Sequence, residues 1–295
     1  CHDPDAGCAR GDRDRGLGVG ALGAFQPLHS LAAEAAAPAS KVRFGFTSYQ
    51  WGKDWDISTI IANLTKAQVF GVELRTSASY AHGVELSLSA EKRQEVKKRF
   101  ADSPITVVGI ASAERMDWPE PEKLKAAIEA AKAHLKLSHD LGATGVRVFP
   151  NQWHPNVPPE RTIAQIAKSL NELGTFAADY GQEVRLEAHG PAGELPTLRA
   201  IMDQVTQTKV RIKLNSDVRD AQGKGFEGNF NLVKNFLGHT LHAHNLKDPK
   251  FPYQLQISLL VKMNWNGWGL LEASDNVPDR VQALIEQREL WEQMV

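Results

Sequence analysis

The stretch "PERTIAQIAKSLNELGTFAADYGQEVRLEAHG", residues 159–190, contains two periodicities in succession. Its first part has apolar residues at helical spacing, opens with Pro and closes with Gly181, which predicts an amphipathic helix. The part that follows alternates apolar and polar residues, which predicts a strand with two different faces. One face would hold Val184, Leu186 and Ala188, and the other Arg185, Glu187 and His189. The stretch therefore predicts one helix–strand unit.

The same unit recurs from Val42 to the end of the chain. Another helix is predicted at "PEKLKAAIEAAKAHLKLSHDLG", which closes with Gly142. Eight strands are predicted, at "VRFGFTS", "GVELRT", "ITVVGIAS", "GVRVFP", "EVRLEAHG", "VRIKLNSD", "TLHAHNLKD" and "GWGLLEAS". Eight units over roughly 250 residues predict a single-domain (β/α)8 TIM barrel spanning residues 41–295. A doubly wound open sheet is the alternative, but the Gly-rich phosphate turn typical of that fold is absent from the sequence.

The composition of the chain limits which classes of partner and which types of metal ligand are expected. The chain has 295 residues, 42% of them hydrophobic, with 34 basic and 35 acidic side chains and a formal net charge of -1. This balance, without a basic stripe interleaved with aromatics, argues against nucleic acid as a partner. The two cysteines, Cys1 and Cys8, do not suit a disulfide framework or a Cys-based zinc site. Oxygen and imidazole groups would have to hold any metal.

Residues 1–40 differ from the rest in composition. The apolar run "GLGVGALGAF" follows "ARGDRDRG" and precedes the small residues of "LAAEAAAPAS", which is the layout of an export signal. It resembles a twin-arginine signal, although Asp14 separates Arg13 from Arg15. The run is too short to span a bilayer. We therefore expect a protein exported to the periplasm or the exterior and processed after Ala36; the alternative is a disordered tail on a cytoplasmic protein.

Acidic and imidazole side chains recur at the ends of predicted strands five to eight. They are separated by 30, 27 and 28 residues, about one strand–helix unit each: Glu187, Asp217, His244 and Glu272. Strand ends converge at the C-terminal mouth of a barrel, so these groups should lie together. Three carboxylates and one imidazole suit Mn²⁺, Mg²⁺, Co²⁺ or Zn²⁺, and a divalent ion would relieve the repulsion between the carboxylates. Taken alone, Glu187 would more simply pair with Arg185 or Arg211, and Glu73 with Arg75.

Four of these strand ends resemble motifs of the xylose isomerase-like barrels, which are grouped as sugar phosphate isomerases and epimerases. The motifs are "VRLEAHG", "LNSDVRD", "LHAHNLKD" and "LLEAS", and the resemblance extends from about Val42 to Trp291. It implies that Glu187, Asp217, His244 and Glu272 bind one divalent metal ion. The family usually has His or Asn three residues after the Asp of strand six, where this chain has Asp220. If "KLN" is the segment that matches the family motif instead, Asn215 would be the metal ligand and Asp217 would lie outside the set of ligands.

The resemblance also implies a substrate and a reaction. The substrate would be a small sugar, contacted by His189, Asp220, His242 and Lys247. Glu187 and Glu272 would remove and return a proton next to a carbonyl, through a metal-stabilised enediolate, as in a sugar isomerase or epimerase. No membrane span is expected, and the formation of a homo-oligomer is left open by the sequence.

Three other functions remain open at this point. The same chemistry could expel a β-leaving group, which would make the protein a dehydratase or lyase acting on keto sugars or 3-keto glycosides. A nuclease of the endonuclease IV type shares the barrel, but it needs more strand-end histidines than the sequence offers. A non-catalytic sugar-binding barrel would use Trp51, Trp153 and Trp265 as stacking surfaces and would need no metal.

Overall fold

The computed structural model describes residues 40–295, and these form the predicted (β/α)8 TIM barrel. The strands are β1 Val42–Thr47, β2 Gly71–Arg75, β3 Thr106–Arg115, β4 Gly145–Phe149, β5 Glu183–Glu187, β6 Val210–Lys213, β7 Thr240–Ala243 and β8 Gly267–Leu271. The main helices are α1 Ile57–Ala67, α2 Ala90–Ala101, α3 Pro121–Asp140, α4 Pro159–Asp179, α5 Leu195–Met202, α6 Gly225–Val233, α7 Tyr253–Lys262 and α8 Arg280–Met294. The predicted export segment lies outside the described residues, so export stays a prediction. Within residues 40–295, each helix is too short or too polar to cross a membrane.

All strand pairs of the sheet are parallel, in the order β6-β5-β4-β3-β2-β1-β8-β7. β6 and β7 stand at the two ends of this order and do not form a regular ladder; we call the boundary between them the seam. There the Gly238 amide donates to the Ile212 carbonyl at 2.9 Å, and the His242 amide donates to the Leu214 carbonyl at 2.8 Å. These bonds, together with an isolated bridge between Ile212 and Leu237, close the barrel.

The helices pack their apolar faces on the outside of the barrel. In α4, the residues Ile166, Leu170, Leu173 and Ala177 are fully or almost fully buried at spacings of one or two helical turns. In β5, Val184 and Leu186 are equally buried on the face toward the helices. The alternation of the strand therefore leaves Arg185 and Glu187 on the inside of the barrel, as the sequence predicts.

The inside of the barrel is unusually polar, and glycines make room for it. Arg185 is completely buried and donates to Glu183, to the Val108 carbonyl and to Thr144. A Cβ atom at Gly109 would stand 2.7 Å from a terminal nitrogen of Arg185. Because these partners occupy its guanidinium group, Arg185 does not pair with Glu187.

Candidate active site

The candidate site lies at the C-terminal mouth of the barrel, where side chains of four strands meet. Glu187 ends β5, His242 lies in β7, Glu272 directly follows β8, and Glu73 is the central residue of β2. Each projects inward because its strand neighbours are apolar residues that pack outward. Glu73, Glu187 and His242 are buried, whereas the Glu272 side chain is 18% exposed and faces the opening.

His242 is the centre of this group. Its Nε2 donates to Oε1 of Glu73 at 2.7 Å. Its Nδ1 lies 2.9 Å from Oε2 of Glu272 and 3.5 Å from Oε2 of Glu187. Neither contact has hydrogen-bond geometry, and within residues 40–295 the buried Nδ1 has no hydrogen-bond partner. One ring nitrogen of His242 is therefore bonded to Glu73, and the other lies between two carboxylates without a hydrogen bond.

Two buried cations pair with the carboxylates. The Lys213 ammonium donates to both oxygens of Glu73 at 2.6 Å. The Arg147 guanidinium donates to Glu187 at 3.1 Å, and its remaining nitrogens donate to the Ser112 carbonyl. Glu73 therefore pairs with Lys213 and His242, so the expected pair of Glu73 with Arg75 does not form. Arg75 donates to the Ala111 carbonyl instead.

The pKa values follow from this arrangement. Burial alone would raise the pKa of Glu73, but Lys213 and His242 outweigh it and hold the pKa well below its usual range. Burial likewise opposes ionisation of Glu187, and Arg147 and His242 reverse the effect. Burial and Lys213 lower the pKa of His242, yet the three carboxylates around the ring prevail and raise it to about 10. Burial also opposes ionisation of Glu272, but His242 outweighs it and lowers the pKa. All three carboxylates are therefore ionised near neutral pH.

These charges decide what the site can hold. Glu73, Glu187 and Glu272 bring three negative charges, against one positive charge each from Lys213 and Arg147. His242 supplies the missing positive charge when its ring is protonated. A divalent cation could take the place of that proton, since ligand atoms of Glu187, His242 and Glu272 all lie within 4.8 Å of one another. Two carboxylate oxygens and an imidazole nitrogen form a donor set that suits Mn²⁺ or Zn²⁺.

The structure brings together two of the four side chains that the sequence predicts as ligands. Glu187 and Glu272 meet, but their imidazole is that of His242. The ring of His244 is half-buried and its Nδ1 donates to the main-chain carbonyl of Glu272 at 3.1 Å. Asp217 forms an ion pair with Arg219 at 2.6 Å and caps the short 3-10 turn that follows β6. Asn215 is buried, and its Oδ1 has no hydrogen-bond partner among the described residues.

The residues predicted to contact substrate have different surroundings. His242 lies at the centre of the site. His189 is exposed, bonds Asn151 at 2.9 Å and lies against the ring of Phe149. Asp220 is buried, and burial raises its pKa to about 7. Lys247 forms an exposed ion pair with Glu286 at 2.7 Å, so its ammonium group is already engaged.

Sequence reasoning missed Arg147, the partnership of Glu73 with Lys213, and Tyr49. Tyr49 follows β1 by two residues, and its ring lies in an edge-to-face arrangement with the ring of His242, with 6.2 Å between the ring centroids. Arg147 and Lys213 could have been noticed as charged residues on the inward face of otherwise apolar strands. Tyr49 gave no such signal, because it lies in the loop beyond the alternating pattern.

Comparison with solved structures finds the same fold in several proteins. A 3-keto-D-glucoside 4-epimerase from E. coli is 14% identical, with a TM-score of 0.70 over 85% of this chain and 99% of that chain. The probable 3-DHS dehydratase of petrobactin synthesis from Bacillus anthracis is 13% identical, with a TM-score of 0.66 over 84% and 98%. The IOLI protein, whose crystal structure contains a zinc atom, is 14% identical, with a TM-score of 0.68 over 84% and 95%. At these identities the likeness shows the fold alone.

The family is shown by a separate comparison. A search of curated proteins gave no match to this chain. A family model, described as xylose isomerase-like TIM barrel, matches residues 61–294, which is well over half of the chain. That match includes β2 and β4 to β8, which supply the carboxylates, the imidazole and both buried cations of the site. The chain belongs to the xylose isomerase-like TIM barrel family.

Proposed function

We propose that this protein is a divalent-metal-dependent sugar isomerase or epimerase, which moves a proton at a carbon next to a carbonyl. One observation supports this most directly: two ionised glutamates, one at the end of β5 and one after β8, both lie close to an imidazole nitrogen that makes no hydrogen bond among the described residues. The sugar epimerase among the proteins of the same fold adds support.

Glu187, His242 and Glu272 would hold the ion in this proposal. His242 replaces His244 in the ligand set because its Nδ1 faces both glutamates. Glu73 accepts a hydrogen bond from Nε2–H, so a cation that displaces the second proton of the ring would find Nδ1 as the free nitrogen. Asn215 Oδ1, buried and unpartnered within the described chain, is a further oxygen donor near the end of β6. When bound, the ion would stabilise negative charge that develops on the substrate oxygens.

The two glutamates would share the proton transfer. Glu272 is partly exposed and can approach a bound ketose from the open side, while Glu187 is held from below by Arg147. One carboxylate removes the proton from the carbon beside the carbonyl, and the other returns a proton. Return to the opposite face of the same carbon gives an epimer, and return to the neighbouring carbon gives an isomer.

A dehydratase or lyase acting on keto sugars or 3-keto glycosides is the second candidate. It is favoured by the dehydratase among the proteins of the same fold. Its first step is the same proton removal, after which a hydroxyl or alkoxyl group leaves from the next carbon. The site geometry serves both reactions, so the products must separate them.

The test is a screen of ketoses and 3-keto glycosides in deuterated water, with Mn²⁺, Mg²⁺, Co²⁺ or Zn²⁺ added. We expect deuterium beside the carbonyl of an epimer or isomer, and loss of turnover by at least ~10²-fold in Glu187→Gln. Glu129→Gln, on the exposed surface of α3, is the matched control. An unsaturated ketone as product would identify the lyase. Substrate loss without solvent hydrogen at that carbon, and without elimination, would exclude both functions.

A further inference from the structure

Tyr49 places a hydroxyl group in the site without giving it a partner. The side chain is 7% exposed, and its Oη is buried and makes no hydrogen bond to any residue in 40–295. The residue itself is well fixed. Its carbonyl accepts from the Gly52 amide at 3.2 Å, its ring packs edge-to-face with that of His242, and the Arg75 guanidinium lies 5.9 Å from the ring centre.

A buried hydroxyl without a partner costs about 1–3 kcal/mol of desolvation, so proteins rarely keep one without a use for it. Burial raises the pKa of this hydroxyl, and the charges of Arg147, Glu272, Glu187 and Glu73, all of which belong to the site, also act on it. Phenylalanine would fill the same space without that cost. The hydroxyl is therefore a buried, unpaired donor on a ring that packs against His242, the central residue of the site.

The two buried cations of the site already donate to other groups. Every nitrogen of the Arg147 guanidinium donates to Glu187 or to the Ser112 carbonyl. The Lys213 ammonium donates to both oxygens of Glu73. A substrate oxygen that enters the cluster would therefore meet the Tyr49 hydroxyl as an uncommitted neutral donor.

We propose that Tyr49 is a catalytic residue, whose hydroxyl donates a hydrogen bond to the carbonyl oxygen of a polyhydroxy ketone while that oxygen gains negative charge. This rests on the proposed function. A glutamate takes the proton from the adjacent carbon, the C–H electron pair becomes the carbon–carbon double bond, and the carbonyl π electrons move to the oxygen. Tyr49 keeps its proton throughout, and the step reverses when the carbon is reprotonated. Such a donor acts more strongly on the developing oxyanion than on the ketone.

The test compares Tyr49→Phe with Tyr180→Phe, which removes a hydroxyl at the far end of α4. On the ketose that the wild type converts, we expect kcat of Tyr49→Phe to fall ~10²–10³-fold with KM changed by much less. Its melting temperature should stay the same or rise, because an unpaired polar group is removed from a buried position. Tyr180→Phe should leave kcat unchanged.

The outcomes separate this inference from the proposed function. If the wild type exchanges no substrate hydrogen with deuterated water, the proposed function fails and Tyr49 fails with it. If the wild type does exchange hydrogen and Tyr49→Phe keeps full kcat, only the inference is overturned. A lowered melting temperature with unchanged kcat would also overturn it, since the hydroxyl would then be structural.

Discussion

At the scale of single residues, the site depends on which ring nitrogen of which histidine faces the glutamates. His242 and His244 stand two residues apart on the same face of the chain, so alternation alone treats them alike. Their depth separates them. His242 lies within β7, between Glu73 and the two strand-end glutamates, whereas His244 lies beyond the last residue of the strand.

We therefore predict that His242→Ala weakens binding of Mn²⁺ or Zn²⁺ much more than His244→Ala. Loss of a residue that merely hydrogen-bonds to a metal ligand reduces metal affinity by ~10-fold or more. Loss of the ligand itself should therefore reduce it by at least ~10-fold. Isothermal titration of each metal into the full chain would measure it, with circular dichroism to verify folding. Equal losses in both variants, or a larger loss in His244→Ala, would contradict the placement of the metal on His242.

The pair of Lys213 and Glu73 is a second feature at this scale. Both side chains are essentially unexposed and lie 2.6 Å apart. We predict that Lys213→Met lowers the free energy of unfolding by roughly 3–5 kcal/mol, because it leaves a buried carboxylate with one cation fewer. Urea unfolding would measure the loss. The double variant Lys213→Met/Glu73→Gln should recover part of it; a double variant no more stable than the single one would refute the pairing as the cause.

At the scale of elements, two buried neutral histidines connect α3 and the loop after β2 to the barrel through hydrogen bonds. His134 of α3 bonds Thr76 at 3.0 Å beyond the end of β2, and His82 in the loop after β2 bonds Ser48 at 3.1 Å. Burial lowers the pKa of each ring to about 4, from an ordinary 6.5. Both rings therefore join their elements to the core in the uncharged form.

We predict a stability loss in mild acid from these two rings. A folded pKa below the unfolded value means that stability is full above pH 6.5 and declines as the pH falls toward 4. Each ring accounts for up to roughly 3 kcal/mol over that window. Unfolding in urea at several pH values would measure it. His134→Gln should flatten the slope between pH 6.5 and 4.5, and an unchanged slope would show that other groups cause the acid sensitivity.

The elements also show how far the sequence could predict this molecule. All eight strands lie where alternation and turn residues placed them, though each of β5 to β8 ends before the last polar residues of its predicted segment. Glu187 followed from the same alternation, and Glu272 followed from the regular spacing of polar residues at the strand ends. The remaining contacts did not, because alternation fixes the face of a side chain and not its depth. Lys213 reaches Glu73 across the barrel, from 140 positions away in the chain.

At the scale of the whole molecule, the barrel is weakly closed between β6 and β7, and the residues of the candidate site lie on both sides of this seam. The seam between β6 and β7 is held by two backbone hydrogen bonds and one isolated bridge, whereas β1 and β8 pair over five residues. Glu187 lies on β5, on one side of the seam, while His242 and Glu272 belong to β7 and β8 on the other side. A cation held by these three groups would link the two sides.

We predict that the seam is where the barrel opens first and that metal closes it. Local opening exposes amides in regions with few protecting hydrogen bonds, so the amides of Gly238 and His242 should exchange hydrogen faster than those of the β1–β8 ladder. Adding Mn²⁺ or Zn²⁺ should slow exchange at these two amides, because an ion that binds only the closed form stabilises it. Hydrogen–deuterium exchange with mass spectrometry on the full chain, with and without metal, would measure both effects. Glu187→Gln should abolish the protection by metal while leaving the β1–β8 ladder as slow as before. Metal protection that is spread evenly over all strands, or that persists in Glu187→Gln, would mean that the ion binds elsewhere and does not bridge the seam.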